Sequence, residues 1–421
     1  MSPENEKFLD EHVDRTRRYF LRQAAAGTAA IAGWPLFAAD SIRSPVLQDA
    51  IEQLEPFLTV QDEFRDVSRG KPKPHTLPLA KMKEVGLTRE TWSLDVMSDP
   101  EHPARLRTPL SKQEGKALDF AGLMKLAEAN SVRFAKVMTC LNIGCPLGAG
   151  IWEGVPLRNV LWLTQPSENV RRVFYYGYHN DDPLQMFRSS LPIDRVLEDN
   201  YDLPPVLLCY KLNGDWLTSE RGGPVRIVVP EAYGFKSIKW LTHVFMSNRH
   251  DANDTYAEQN NDIDSALKSF AATLSVPTSV KAGAPIPVTG YAQVGISGVT
   301  KVQTWLQPSA EDLPKGDRHY QTAPWQDARI LGPPSVWGGG LPDGRIPDPT
   351  LGFDSETGRP EQWPMRLLKI HWATLLPGVP AGEYTFRCRT VDEKGYGQPL
   401  PRPFRKSGHA AVEKISITVE A

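Results

Sequence analysis

Two of the four cysteines in this 421-residue chain, Cys140 and Cys145, stand five apart in Met-Thr-Cys-Leu-Asn-Ile-Gly-Cys-Pro-Leu-Gly. The run Arg133–Thr139 alternates as a strand would, so Cys140 is presented at a strand end before a glycine-containing loop. A thiolate in that place can ligate a soft metal. Two blander readings stand beside it: a buried thiol, or a redox pair with Cys145. Cys209 and Cys388 fall inside apolar strand patterns and read as small buried hydrophobes. Asp181 and Asp182 are adjacent carboxylates suited to acid–base work, or part of a solvated loop. The chain has no Gly-x-Gly-x-x-Gly opening a helix, no Walker lysine loop, no Gly-x-Ser-x-Gly elbow, no His-Glu-x-x-His and no Cys-x-x-Cys-His. Nicotinamide binding, serine-hydrolase chemistry and covalently attached haem are therefore not indicated.

Composition narrows the field further. Lys+Arg 48 against Asp+Glu 50 leaves a net charge of -2, which argues against a nucleic-acid binder that must displace counterions. Four cysteines cannot staple 421 residues. The 37 prolines favour strands and structured loops over long helices.

The elements that must position Cys140 follow from periodicity. Strands are predicted over Trp92–Met97, Arg133–Cys140, Val170–Tyr176, Val206–Leu212, Val225–Val229 and Ile238–Phe245. Helices are predicted from Asp119 to Glu128, over Val155–Leu163 and over Leu191–Leu197. Asn213-Gly214 reads as a tight turn. This is a mixed α+β domain, 50–265. Beyond it, 271–421 carries short strand candidates separated by turn residues, which suggests an all-β Ig-like sandwich. A low-pattern insert rich in Pro, Gly and Trp occupies 308–364. At the N-terminus, Thr16-Arg-Arg-Tyr-Phe-Leu-Arg22 precedes a weakly apolar Ala/Gly run without charge up to Asp40. That is the twin-arginine export pattern, so 1–39 is expected to be a signal segment and the protein periplasmic or exported.

Several stretches in order resemble one family. Cys140 is followed by Trp152-Glu-Gly-Val-Pro-Leu-Arg-Asn-Val-Leu161; then come Arg188-Ser-Ser-Leu-Pro-Ile-Asp194 and Leu212-Asn-Gly-Asp-Trp-Leu217. The most specific stretch is Gly223-Pro-Val-Arg-Ile-Val-Val-Pro-Glu-Ala-Tyr-Gly-Phe-Lys-Ser-Ile-Lys-Trp-Leu241, and Gly382–Pro399 resembles the end of a dimerisation domain. Together they resemble the sulfite oxidase-type molybdopterin-binding oxidoreductases, from about residue 55 to 421.

The resemblance implies an α+β molybdopterin-binding domain followed by an Ig-like dimerisation-type sandwich, and a molybdenum–molybdopterin cofactor. Cys140 would be the protein's ligand to the metal. Arg226 and the run Ser237-Ile238-Lys239 match the family's phosphate and pterin contacts, and Arg221 occupies a neighbouring contact position. Arg69, with Arg65 and Ser68, lies in the early loop that meets the cofactor. Tyr256 and Arg188 fall on the substrate side. The loop after Cys140 reads Leu141-Asn142-Ile143 where sulfite oxidases have an arginine-bearing segment. Cations such as Arg188, Arg249, His179 or His250 would then have to compensate for an anionic substrate. The expected reaction is two-electron oxygen-atom transfer with sulfite or a related small sulfur compound. Electrons would pass to an external c-type cytochrome, and the sandwich would form a homodimer. Competing readings are a sulfoxide or N-oxide reductase with the same cofactor, a non-enzymatic Ig-like binding protein, and a Cys140/Cys145 thiol-redox protein.

Overall fold

Three β-sheets build the molecule. A computed structural model describes residues 44–421 except 183–185, 200–202, 253, 256, 260, 311–312, 314–316, 400–404 and 409–410. The predicted signal segment 1–39 and Tyr256 lie outside the described residues. The chain divides into a segment, 1–49, and a compact body, 50–421.

In chain order the helices are α1 (Pro45–Glu52), α2 (Leu79–Glu84), α3 (Phe120–Asn130), α4 (Leu157–Leu163) and α5 (Ile193–Leu197). The first half contributes strands β1 (Ser93–Ser98), β2 (Leu118–Asp119), β3 (Val132–Thr139), β4 (Pro146–Pro156), β5 (Arg172–Gly177), β6 (Arg188–Pro192), β7 (Leu207–Leu212), β8 (Asp215–Trp216), β9 (Arg226–Val228) and β10 (Leu241–Ser247). They form one sheet in the order β2-β1-β10-β5-β6 and a second, β3-β4-β7-β8, with β9 paired to β7. The mixed α+β expectation describes this half.

The second half holds β11 (Phe270–Ser275), β12 (Ser279–Lys281), β13 (Ile286–Gln293), β14 (Lys301–Pro308), β15 (Gln326–Ile330), β16 (Lys369–Leu376), β17 (Gly382–Val391) and β18 (Glu413–Glu420). Their order is β11-β13-β16-β15-β14-β17-β18-β12, and β15 pairs with both β14 and β16. Val288, Ile370 and Trp372 on one side and Val302, Phe386 and Ile417 on the other share one buried cluster. Burial of such side chains stabilises the half by roughly 1.5–3 kcal/mol each.

Local chemistry explains most boundaries. Asp119 caps α3, its carboxylate accepting from Gly122 N at 2.7 Å. Asn213 and Gly214 take φ of 54° and 87°, as a two-residue hairpin turn requires. Three expectations are corrected. Ile238–Trp240 is loop, because Trp240 takes a left-handed φ of 53° and strand β10 starts only at Leu241. Leu191–Pro192 belongs to β6, and the helix begins after the proline. The insert 308–364 is not patternless. It contains β15, and its Trp337, Leu341, Ile346 and Phe353 share a core with Phe57, Leu58, Val137 and Ile151 of the first half. The insert thus packs against the sheet that carries Cys140.

Candidate cofactor cavity

Strand β3 delivers Cys140. Its Met138 is buried, and the chain turns immediately after Cys140, with Gly144 N donating to Cys140 O at 3.3 Å. The thiol is half-buried and lines a cavity of about 270 Å³. Phe64, Trp152 and Trp240 give the same space buried aromatic walls. Glycines in β4 let the walls close: a Cβ on Gly148 would stand 2.5 Å from the Phe64 ring.

In the same cavity a cluster of cations is built by β9 and the loop before β10. Arg226, the first residue of β9, points inward and is buried. Its Nη1 donates to Arg221 O at 2.8 Å and its Nη2 to Ser237 O at 2.5 Å. Burial lowers its pKa to about 10, with a smaller push from Arg221. Arg221 is also buried; its Nη1 donates to Phe64 O at 2.8 Å and its Nη2 meets the Glu220 carboxylate. The Nε atoms of both arginines are buried without a hydrogen-bond partner. Ser237 Oγ accepts from Val229 N at 3.1 Å, and Ile238 O accepts from Ile227 N at 2.9 Å, which ties the loop to β9.

Lys239 completes the cluster. Its Nζ donates to Ser68 Oγ at 2.7 Å, to Glu220 O at 2.5 Å and to Asp66 Oδ1 at 3.3 Å. Burial, then the charge of Arg226, pushes its pKa down to about 7 against the pull of Asp66. Burial would raise the Asp66 carboxyl, but Lys73, Ser68 and Lys239 outweigh it and hold it well below the usual carboxylate range. Lys239's loop fits only because Gly177 and Gly222 lack side chains. A Cβ on Gly177 would reach within 1.9 Å of Lys239 O.

The structure therefore gathers Cys140, Arg69, Arg221, Arg226, Ser237, Ile238 and Lys239 around one cavity, with Arg65 and Ser68 beside them. Arg69 stacks over Phe187 at 4.5 Å. Arg188 is not brought there: its Nη2 pairs with Glu258 at 3.0 Å and its Nη1 meets Tyr176 Oη at 3.4 Å. Arg249 pairs with Asp251, and Asp181 is an exposed partner of Lys81. His179 does line the cavity, with Nδ1 on Gly177 O at 2.9 Å. Cys209 is buried, its thiol pushed up to about 12 by desolvation, and Cys388 is buried likewise. Phe64, Asp66 and Glu220 carried no sequence signal of their own. Only their closeness to the Arg65–Arg69 loop and to Arg221 could have pointed to them.

The family model "Oxidoreductase molybdopterin binding domain" matches residues 84–255. The chain is 34% identical over 148 residues to sulfite oxidase of Gallus gallus, 34% of this chain and 31% of that protein. It is 27% identical over 263 residues to mitochondrial sulfite oxidase of Homo sapiens, 59% of this chain and 42% of that protein. Residues 84–255 therefore match a molybdopterin-binding oxidoreductase domain, and the chain is similar there to the sulfite oxidases. It also matches a nitrate reductase of Betula pendula, 25% identical over 181 residues, 41% of this chain and 20% of that protein. The chain spans less than half the length of these curated relatives. In fold it is similar to the sulfane dehydrogenase SoxCD of Paracoccus pantotrophus, with a TM-score of 0.53 at 15% identity over 93% of this chain and 96% of that one.

A molybdopterin-binding domain implies a molybdenum–pterin cofactor, and the cavity suits such a group. Buried cations cost several kcal/mol each in desolvation unless compensated. Here Arg221, Arg226 and Lys239 converge with two orphaned Nε donors and one half-buried carboxylate, Asp66. An anionic ligand supplies the missing charge and acceptors. The half-buried thiol supplies the soft donor.

Proposed function

We propose that this protein is a molybdenum-dependent oxidoreductase that carries out oxygen-atom transfer on sulfite or a related small sulfur compound and passes electrons to an external c-type cytochrome. The observation that carries the reading is one cavity holding the Cys140 thiol, the buried Arg221 and Arg226 and the half-buried Lys239. When bound, the cofactor supplies two-electron redox chemistry coupled to oxygen transfer.

The chain's own residues do the rest. Cys140 holds the metal through its thiolate. Arg221, Arg226 and Lys239 hold the anionic end of the pterin, with Ser237 and Ile238 shaping the loop around it. Phe64, Trp152 and Trp240 exclude water, which strengthens every charge contact inside. Arg65 and Arg69 remain at the cavity to attract an anionic substrate, with Tyr256 as a further substrate-side candidate. The wider reading places the signal at 1–39, the cofactor domain at 50–265 and an Ig-like, dimer-forming half at 271–421, in an exported protein.

A second reading, reduction of a sulfoxide or N-oxide, draws on the loop after Cys140. Leu141 and Ile143 are apolar where an anion would want a cation. Metal analysis of the purified protein, followed by sulfite-dependent reduction of cytochrome c against sulfoxide-dependent oxidation of a reduced dye, tests both. Molybdenum at stoichiometry with sulfite turnover supports the first. Turnover of sulfoxide alone supports the second, and absence of molybdenum overturns both.

A further inference from the structure

Strand β3 is the edge of its sheet, its one partner strand in that sheet being β4. Its outer side is covered by the second half of the chain. Arg133 O accepts from Leu351 N at 2.9 Å, and Val137 N donates to Leu367 O at 2.8 Å. The next polar group along is the hydroxyl of Thr139, fully buried, which donates to Oε1 of Gln293 at 2.5 Å. Gln293 ends β13 and is also fully buried; its Nε2 donates to Lys268 O at 2.6 Å. Because the amide nitrogen must face that carbonyl, Oε1 is left to face Thr139. Val294 N donates to Leu368 O and Leu367 N to Val294 O, both at 2.8 Å, so the two pieces touching β3 nearest Cys140, at Leu367 and Gln293, belong to one ladder of the all-β half.

The ladder between β3 and β4 shifts register between Met138 and Thr139, and Cys140 follows as the chain leaves the sheet. Thr139 is thus the last side-chain anchor before the thiol, on a residue whose Cα is about 3.8 Å from that of Cys140. A β-branched side chain has little freedom at χ1, so pinning the hydroxyl pins the backbone that presents Cys140.

We propose that Gln293 is a positioning residue for Cys140, acting through the Thr139 hydroxyl, so that the all-β half sets where the metal-binding thiol stands. The proposal rests on the reading of Cys140 as the metal ligand, and its test separates the two. In cofactor-free full-length protein, the alkylation rates of Cys140 and Cys145 by iodoacetamide are measured peptide by peptide, alongside the unfolding temperature. Molybdenum content is measured on protein expressed with the cofactor. Thr139→Val and Gln293→Met are expected to change the Cys140 rate about threefold or more relative to Cys145, with non-additive effects in the double variant, whereas Thr139→Ser stays at the wild-type rate. Molybdenum retention falls with the same pattern. Should Thr139→Val fail to fold, Gln293→Met alone is read against Thr139→Ser. A lowered unfolding temperature with an unchanged Cys140-to-Cys145 ratio overturns the proposal. A changed ratio in a protein that never holds molybdenum leaves the positioning intact and overturns only the cofactor reading.

Discussion

Arg226 lies over the ring of Trp152, its guanidinium carbon 5.3 Å from the ring centroid, with both Nη atoms committed to backbone carbonyls. The contact fixes a cation against the floor of the cavity and leaves Nε to the ligand. Arg226→Met, which keeps the apolar stem and removes the charge, is expected to leave the cofactor-free fold as stable as wild type or more so, because the desolvation of a buried ion is relieved. Cofactor content, measured by molybdenum analysis, falls by about tenfold or more, the loss of a charge-assisted contact.

Cys140→Ser tests the thiol directly. The side chain is half-buried and sits in a turn, so the unfolding temperature should stay within about 4 °C of wild type. A serine hydroxyl is a hard, weakly acidic donor, so molybdenum binding and turnover are lost. Normal turnover by this variant overturns the site.

Lys239 makes anion binding depend on pH. Its pKa in the fold is about 7, against the ordinary 10.5 of an exposed lysine. Between pH 7 and 10.5 the unfolded chain binds more protons at this residue than the cofactor-free fold does, so this contribution to stability rises with pH across that window. An anion in the cavity favours the ammonium, so affinity falls as pH rises through about 7. The facing charges are Asp66, Arg226 and Arg221. Inorganic phosphate binding by calorimetry at pH 6 and pH 8 checks the sign, and Lys239→Met flattens the dependence. Lys136, fully buried on β3 and likewise near 7, adds a rise of stability with pH of the same sign.

Gly177 is expected to tolerate no side chain. Gly177→Ala would drive a methyl into Lys239 O and displace the loop of Ser237–Lys239. A destabilisation of about 1–3 kcal/mol in urea unfolding, with a larger loss of bound cofactor, is the expected outcome.

The insert carries stability across the halves. Trp337 packs edge-on against Phe57 at 5.0 Å and Phe353 at 5.3 Å. Trp337→Ala should cost roughly 3–5 kcal/mol in denaturant unfolding, the amount for an aromatic lost from a packed core.

The chemistry-bearing residues were more legible than the walls around them. The strand ending at Cys140 and the stretch Gly223–Leu241 announce themselves by alternation and by the family's spacing. Strand β4, eleven residues long, does not, because Gly148, Gly150 and Gly154 interrupt its pattern. Those glycines answer to neighbours far off in sequence, Phe64 for the first and Leu208 and Cys209 for the last. Nothing local records such a close approach. An outward strand position was an equally fair reading of Arg226 from the chain alone, since the sign of a side chain's direction is settled by which face the sheet buries. Lys239 escapes strand logic altogether, because the left-handed turn at Trp240 takes its segment out of the sheet.

The order in which the chain is made bears on when the cavity can exist. Leu351 and Leu367, which close the outer side of β3, leave the ribosome more than two hundred residues after Arg133 and Val137. Until then the strand leading to Cys140 has an open flank, and its threonine hydroxyl has no glutamine to meet. A fully shaped pocket is therefore a late product of synthesis, and cofactor capture has to wait for an almost finished polypeptide.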